Sequence, residues 1–266
     1  MKCEDKALHS TMIRIVLGCF LLMMSACQTT RLSVVKNSEA ALGGAAFYRQ
    51  AAAMGWAARD SFIIQQVREG SIPLYLRKFV RVPVVISSGK QRIKVVFFVS
   101  PDYLSVGNSG DWARVSLTAT GAATVLSMLD CFAPTPQLVD RIYQQASVKL
   151  MPVPLYAYRD STPVMWQHHL IIEGQRKQQK GLIAGIKKDI VFVNTKGDSV
   201  RANRVGIYGW HQPGGKPIQP FYQGHASWYT DYSHGLRLVS NYVKVQGRLI
   251  RIETLWQDTT LRKSLF

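Results

Sequence analysis

Apolar and polar positions change period several times along the chain. Residues 38–69 are Ala-rich and free of proline, with Gly70 placed to stop a helix, so the stretch reads as helical. The Gly43-Gly44 pair is expected to break an earlier segment from a later one, and Asp60 to cap the run beginning at Phe62. Residues 79–86 and 91–99 are dense in β-branched and aromatic side chains. Ser87-Ser-Gly-Lys90 lies between them, which predicts a hairpin with a four-residue connection. After a loop over 100–110, residues 118–129 and 136–148 read as two helices. Thr135 is placed as N-cap of the second and Pro136 as its first helical residue.

Proline and tyrosine crowd residues 152–163, marking a connector between an N-terminal part, 38–151, and a C-terminal part, 152–266. A single domain over 38–266 is the other reading. Residues 163–180 suit a helix, 183–194 and 204–210 suit strands, and 236–245 with 248–255 pair naturally about Gln246-Gly247. The expected class is α+β, mostly antiparallel sheet with packed helices.

The first 26 residues follow another pattern. Arg14 precedes an apolar run over 15–24, shorter than the roughly 20 residues a membrane-spanning helix needs. A charged flank, a short apolar core and small residues at its end (Ser25, Ala26) mark an export signal, starting at Met1 or Met12. Met24-Ser-Ala-Cys27 resembles the lipobox of bacterial lipoproteins, with Met in place of the usual Leu. The resemblance implies a signal peptide over 1–26, lipidation of Cys27 and a tether over 27–37. Gln28, where an inner-membrane lipoprotein tends to carry Asp, points to the periplasmic face of the outer membrane. Fatty acyl groups such as palmitate contribute about 0.8 kcal/mol per buried CH2, so several anchor durably.

Composition sharpens that address. The chain carries net charge +17, and removing the leader's three basic and two acidic residues leaves 30 basic and 14 acidic ones, net +16. In an exported protein such a charge attracts anionic envelope polymers, peptidoglycan first among them, rather than nucleic acid. Beyond Cys27 only Cys131 remains, so no intramolecular disulfide is available and Cys131 is expected to be structural.

The candidate chemistry is concentrated. All five histidines outside the leader (His168, His169, His211, His225 and His234) fall within 168–234. Tyr208-Gly-Trp-His211 precedes a turn-rich stretch, and then comes Gly224-His-Ala-Ser-Trp-Tyr-Thr-Asp-Tyr-Ser-His-Gly235, with Arg237 just behind. Loops of this composition are what sites are built from. In one reading His225 or His234 is a general base oriented by Asp231, activating Ser233 or a water. His211, Trp210, Trp228 and Arg237 would then bind substrate. In a second, a divalent metal such as zinc is held by some of His211, His225, His234 and Asp231, with His169 and Glu173 as further ligands, although no zinc-motif spacing is present. In a third, the same residues form a sugar- or peptide-binding platform. Lys187-Lys188-Asp189 is expected at the solvated start of a strand, with Asp189 as an alternative acid near the site.

Ser233-His-Gly235 with Arg237 resembles the Ser-His-Gly-Cys-x-Arg motif of L,D-transpeptidases, with His225 near that family's upstream histidine. Leu236 occupies the position of the nucleophilic Cys, so the family's activity does not carry over. The leading expectation is a lipid-anchored envelope hydrolase acting on peptidoglycan or another anionic polymer through His225, Asp231, Ser233 and His234, without a cofactor. The alternative is a non-catalytic lipoprotein that binds peptidoglycan or a protein partner.

Overall fold

The computed structural model describes Arg31, Leu32, Val34, residues 42–88, 91–193, 203–257 and Leu261. The export signal, Cys27 and all but three residues of the 27–37 tether lie outside the described residues. The fold is α+β, as the patterning predicts. Its elements in order are α1 (Gly44–Ala51), α2 (Trp56–Arg68), a 3₁₀ turn at Leu74–Arg77, β1 (Val80–Ser88) and β2 (Gln91–Val99). Then come β3 (Ser105–Gly107), β4 (Trp112–Arg114), α3 (Ala119–Met128), β5 (Cys131–Phe132), α4 (Pro136–Gln145), β6 (Val148–Lys149) and α5 (Thr162–Arg176). The C-terminal third adds β7 (Ile183–Ala184), β8 (Lys188–Val191), β9 (Gly206–His211), β10 (Pro217–Tyr222) and β11 (His234–Gly235). It closes with β12 (Val239–Ser240), β13 (Tyr242–Val245), β14 (Arg248–Arg251) and α6 (Ile252–Gln257).

The helix starts show why local chemistry decides boundaries. Thr118 and Thr135 cap α3 and α4 through their hydroxyls, which accept from the amides of Gly121 and Leu138. Asp60 does not cap: α2 has already begun at Trp56, with Gly55 as N-cap. Buried instead, the Asp60 carboxylate accepts from the Thr118 hydroxyl at 2.5 Å, tying α2 to the start of α3. α1 begins at Gly44 with Gly43 as its N-cap, residues 35–41 lying outside those described, and a further interruption at residues 52–55 separates α1 from α2.

The largest sheet joins both ends of the chain. β2 pairs with β1 along one edge, while its other edge is shared by β12 and β13. The connector over 152–163 therefore does not divide the strand pairing. Register runs to Ser88 opposite Gln91, closer to the turn than a four-residue connection allows. β13 and β14 pair about Gln246-Gly247, both of positive φ (48° and 85°), the conformation a tight two-residue hairpin turn demands. Val82, Val84, Val95, Phe97 and Val243 bury one side of this sheet against Leu138 and Ile142 of α4. Cys131 is buried in β5, where burial pushes its thiol well above the usual range.

A second, four-stranded sheet runs β10-β9-β8-β11 and positions the candidate chemistry. β11 lies parallel to β8, with His234 beside Lys188 and Gly235 beside Asp189. A Cβ on Gly235 would come within 2.5 Å of the Tyr103 ring and 2.8 Å of Lys187 Cβ, so only glycine permits this approach.

Candidate functional site

After β10 the chain crosses the surface and then turns inward: every residue from Thr230 to Ser240 is buried. The surface stretch is pinned by the amide of Val205, which donates to the His225 carbonyl, and by that of Ser227, which donates to Asn203. Asp231 forms the hinge of the inward turn. Its Oδ1 accepts from the Ser233 amide at 2.8 Å and the Ser233 hydroxyl at 2.6 Å. Its Oδ2 accepts from Arg159 Nη2 at 2.9 Å and the Tyr229 hydroxyl at 3.3 Å. Burial works against the charged carboxylate, but nearby His234, the two Ser233 donors and Arg159 hold Asp231 well below the usual carboxylate range.

His234 is fully buried, with Nε2 4.0 Å from Asp231 Oδ1. Neither ring nitrogen has a hydrogen-bond partner among the described residues. Burial brings its pKa down to about 4, leaving a neutral imidazole with two unused positions. Buried polar atoms in native proteins are overwhelmingly hydrogen-bonded, so a vacancy of this kind calls for an explanation. The His225 ring lies 5.7 Å from that of His234 and 4.6 Å from that of Tyr229, with Tyr222 at 5.1 Å. His225 is only partly buried, so it is the face of the pair that solvent reaches. Burial lowers its pKa, opposed by Asp231, and the ring is neutral at neutral pH.

Cations flank the carboxylate. Lys188 Nζ sits 5.3 Å above the Trp210 ring, its pKa lowered by burial. Arg159 lies over Tyr232 at 5.4 Å. Beneath them Lys187, fully buried with its pKa brought down to about 7 by desolvation and by Arg114, donates to the Tyr232 carbonyl. The expectation of a solvated strand start at Lys187-Lys188-Asp189 is therefore corrected: all three are buried, Lys188 against Trp210, Lys187 beneath Tyr232 and Asp189 against Tyr103. Asp189 accepts from the Tyr103 hydroxyl at 2.8 Å, and burial raises its pKa to about 6.

The four residues expected to bind substrate are placed differently from one another. His211 bonds Asp140 of α4 at 2.8 Å and stacks on Tyr143 at 4.4 Å, lining a separate 420 Å³ cavity with Lys149 and Pro213. Arg237 is fully buried, donating to the carbonyls of Ser100 and Ile183 at 3.1 and 2.8 Å, with its guanidinium 4.1 Å from the Tyr103 ring centroid. It serves the fold and cannot meet an external ligand. Trp210 is also buried, at φ 57°, an uncommon conformation for a non-glycine residue. Trp228 is exposed and faces Trp56.

The buried Ser233 hydroxyl donates to Asp231, not to His225 or His234 as the general-base reading of Ser233 required. Leu236, at the transpeptidase-like nucleophile position, is a fully buried core residue. His169 Nδ1 lies 3.4 Å from the Arg114 amide and Glu173 pairs with Arg114 at 2.8 Å, so that pair is engaged with a cation. Among the described residues no group of three or more His, Cys, Asp or Glu is arranged to hold a metal ion. Arg159, Lys187, Lys188 and Tyr229 are the members the sequence reading missed; the double lysine before an apolar run was the available signal. No family model, no curated protein and no solved structure matches the chain.

Proposed function

We propose that the chain is a lipid-anchored hydrolase of the cell envelope, acting on peptidoglycan or another anionic envelope polymer by general-base activation of water at His225. The observation that carries this reading is a neutral, solvent-reaching imidazole packed at 5.7 Å against a buried, partnerless one, with a fixed anion behind it. His225 takes the proton from water as the water oxygen bonds to the scissile centre of the substrate, and the imidazolium returns that proton to the leaving group as the scissile bond breaks. Asp231 favours the resulting positive charge, and Lys188 and Arg159 face negative charge developing on the substrate. Ser233 positions Asp231 through its two hydrogen bonds instead of attacking. The reading invokes no cofactor.

Purified peptidoglycan sacculi incubated with the full chain should release soluble fragments. His225→Ala should slow that release by about 10²- to 10⁴-fold, the usual contribution of a general base. Equal release by the variant, or none by the unaltered chain, overturns the proposal. The address rests on Cys27 and the periplasmic face of the outer membrane on Gln28. Cys27→Ser should move the protein from the detergent phase to the aqueous phase on partitioning, and unchanged partitioning would remove the anchor.

A further inference from the structure

Beside the histidines a second cavity opens, about 380 Å³, between the α1–α2 turn, the start of α5 and residues 228–230. Two tryptophans stand at its lip. Trp56 is 46% exposed and Trp228 54%, their ring centroids 6.2 Å apart with planes tilted by 31°. Two half-exposed indoles side by side form a platform that the flat apolar face of a ligand can cover, each ring able to bury roughly 150–250 Å².

The floor of the cavity supplies polar groups that lack partners. Arg59 is 3% exposed, yet its Nε has no hydrogen-bond partner among the described residues; its Nη1 is held by the Asp160 carbonyl and the Thr162 hydroxyl, both at 3.1 Å. The Thr230 hydroxyl, on a residue 2% exposed, is likewise unpartnered. A buried donor without an acceptor is destabilising by itself, and both atoms belong to residues that line the cavity.

From this geometry we infer that the Trp56–Trp228 groove is a glycan subsite, binding a sugar ring of the polymer whose cleavage is proposed above. The inference rests on that reading for its link to catalysis. A pyranose has apolar C–H faces to lay against indole and a rim of hydroxyl or N-acetyl oxygens. Arg59 Nε and the Thr230 hydroxyl are covered by neighbouring atoms, so those oxygens meet them after a side-chain shift at the cavity wall. An extended peptide would satisfy the polar floor but leave two broad aromatic faces without matching flat surfaces. Tyr229 joins the two places: it lines the cavity, its ring stands 4.6 Å from His225, and its hydroxyl donates to Asp231. A sugar held on the tryptophans therefore presents its neighbouring linkage toward His225.

The test is titration of the full chain with N-acetylglucosamine oligomers and with solubilised peptidoglycan glycan strands, followed by tryptophan fluorescence and calorimetry. A free stem peptide serves as comparison. Saturable binding of the glycans is expected, weakened about tenfold by Trp228→Ala and by Trp56→Ala. Both residues are half exposed, and an unchanged melting temperature will verify the fold of each variant. No glycan binding, glycan binding indifferent to both tryptophans, or binding of the stem peptide alone overturns the subsite. Tryptophan-dependent glycan binding without any hydrolysis keeps the subsite and removes the hydrolase.

Discussion

Asp102→Ala should destabilise the fold by about 3–5 kcal/mol, among the largest effects of any single substitution. Asp102 is wholly buried and grips Arg114 bidentately, at 3.0 Å to Nε and 2.6 Å to Nη2, while also accepting from the Tyr103 amide at 2.7 Å. Arg114 is itself 1% exposed. Without Asp102, its charge keeps only Glu173, at 2.8 Å and partly open to water. For a fold of this size roughly 2–4 °C of melting temperature is lost per kcal/mol, so a drop of about 10 °C is expected in a thermal melt followed by circular dichroism. The double variant Asp102→Ala/Arg114→Met should recover much of the loss, because removing both charges leaves nothing uncompensated. A drop below ~3 °C for the single variant would refute the assignment.

The same ion pair carries the floor of the candidate site. The Arg114 amide meets His169 and its guanidinium meets Glu173, both on α5. α5 also brings His168 against Tyr232, with the ring centroids 4.9 Å apart. Tyr232 immediately follows Asp231 and receives a hydrogen bond from Lys187 through its carbonyl. Asp231 is thus positioned from below by a column of buried polar residues and from the side by Arg159 and Tyr229. Such support matters because a catalytic group misplaced by about 1 Å can cost roughly 10²-fold in rate.

What could be read in the sequence is what short range determines. The β1–β2 hairpin, the Thr135-Pro136 start of α4 and the Gln246-Gly247 turn each depend on a few adjacent residues. So does the association of Asp231, Ser233 and His234, since an aspartate can accept from the amide and hydroxyl two residues on. His225 is nine residues from His234, and its approach needed the loop to fold back. Arg159 and Lys188 reach Asp231 from distant segments with no local pattern to announce them. His211 illustrates the opposite failure. It is next to Trp210, but strand neighbours face opposite ways. Trp210 turns toward Lys188 and Tyr232, while His211 turns toward Asp140 and Tyr143. Clustering in sequence therefore overstated clustering in space for that residue, and understated it for the lysines.

Stability should fall steeply as pH drops from about 6.5 toward 4, and the buried histidines give the reason. His168 is held down to about 2, first by burial and then by Lys187 and Arg114; His234 is held to about 4; His169 is lowered well below its ordinary value by burial and Arg114. Unfolded, each takes a proton near pH 6.5. Within that window the unfolded chain binds protons that the native one refuses, so the histidines' contribution is full above 6.5 and is lost as pH falls. Each fully unmatched proton is worth about 1.4 kcal/mol per pH unit. Asp189 opposes the trend, since its raised pKa of about 6 makes the native state take up a proton ahead of the unfolded one. Burial also raises Asp60 and lowers His225, shifts of opposite sign in this balance, so the three buried histidines against Asp189 set a net slope of roughly 3 kcal/mol per pH unit at its steepest. Urea denaturation at half-unit steps from pH 7.5 to 4.5 will measure this slope. His168→Phe keeps a ring against Tyr232 while deleting one site, and should remove about 1.4 kcal/mol per unit from it. A flat profile over that range, or an unaltered slope in the variant, would show that these imidazoles exchange protons with solvent in the native state.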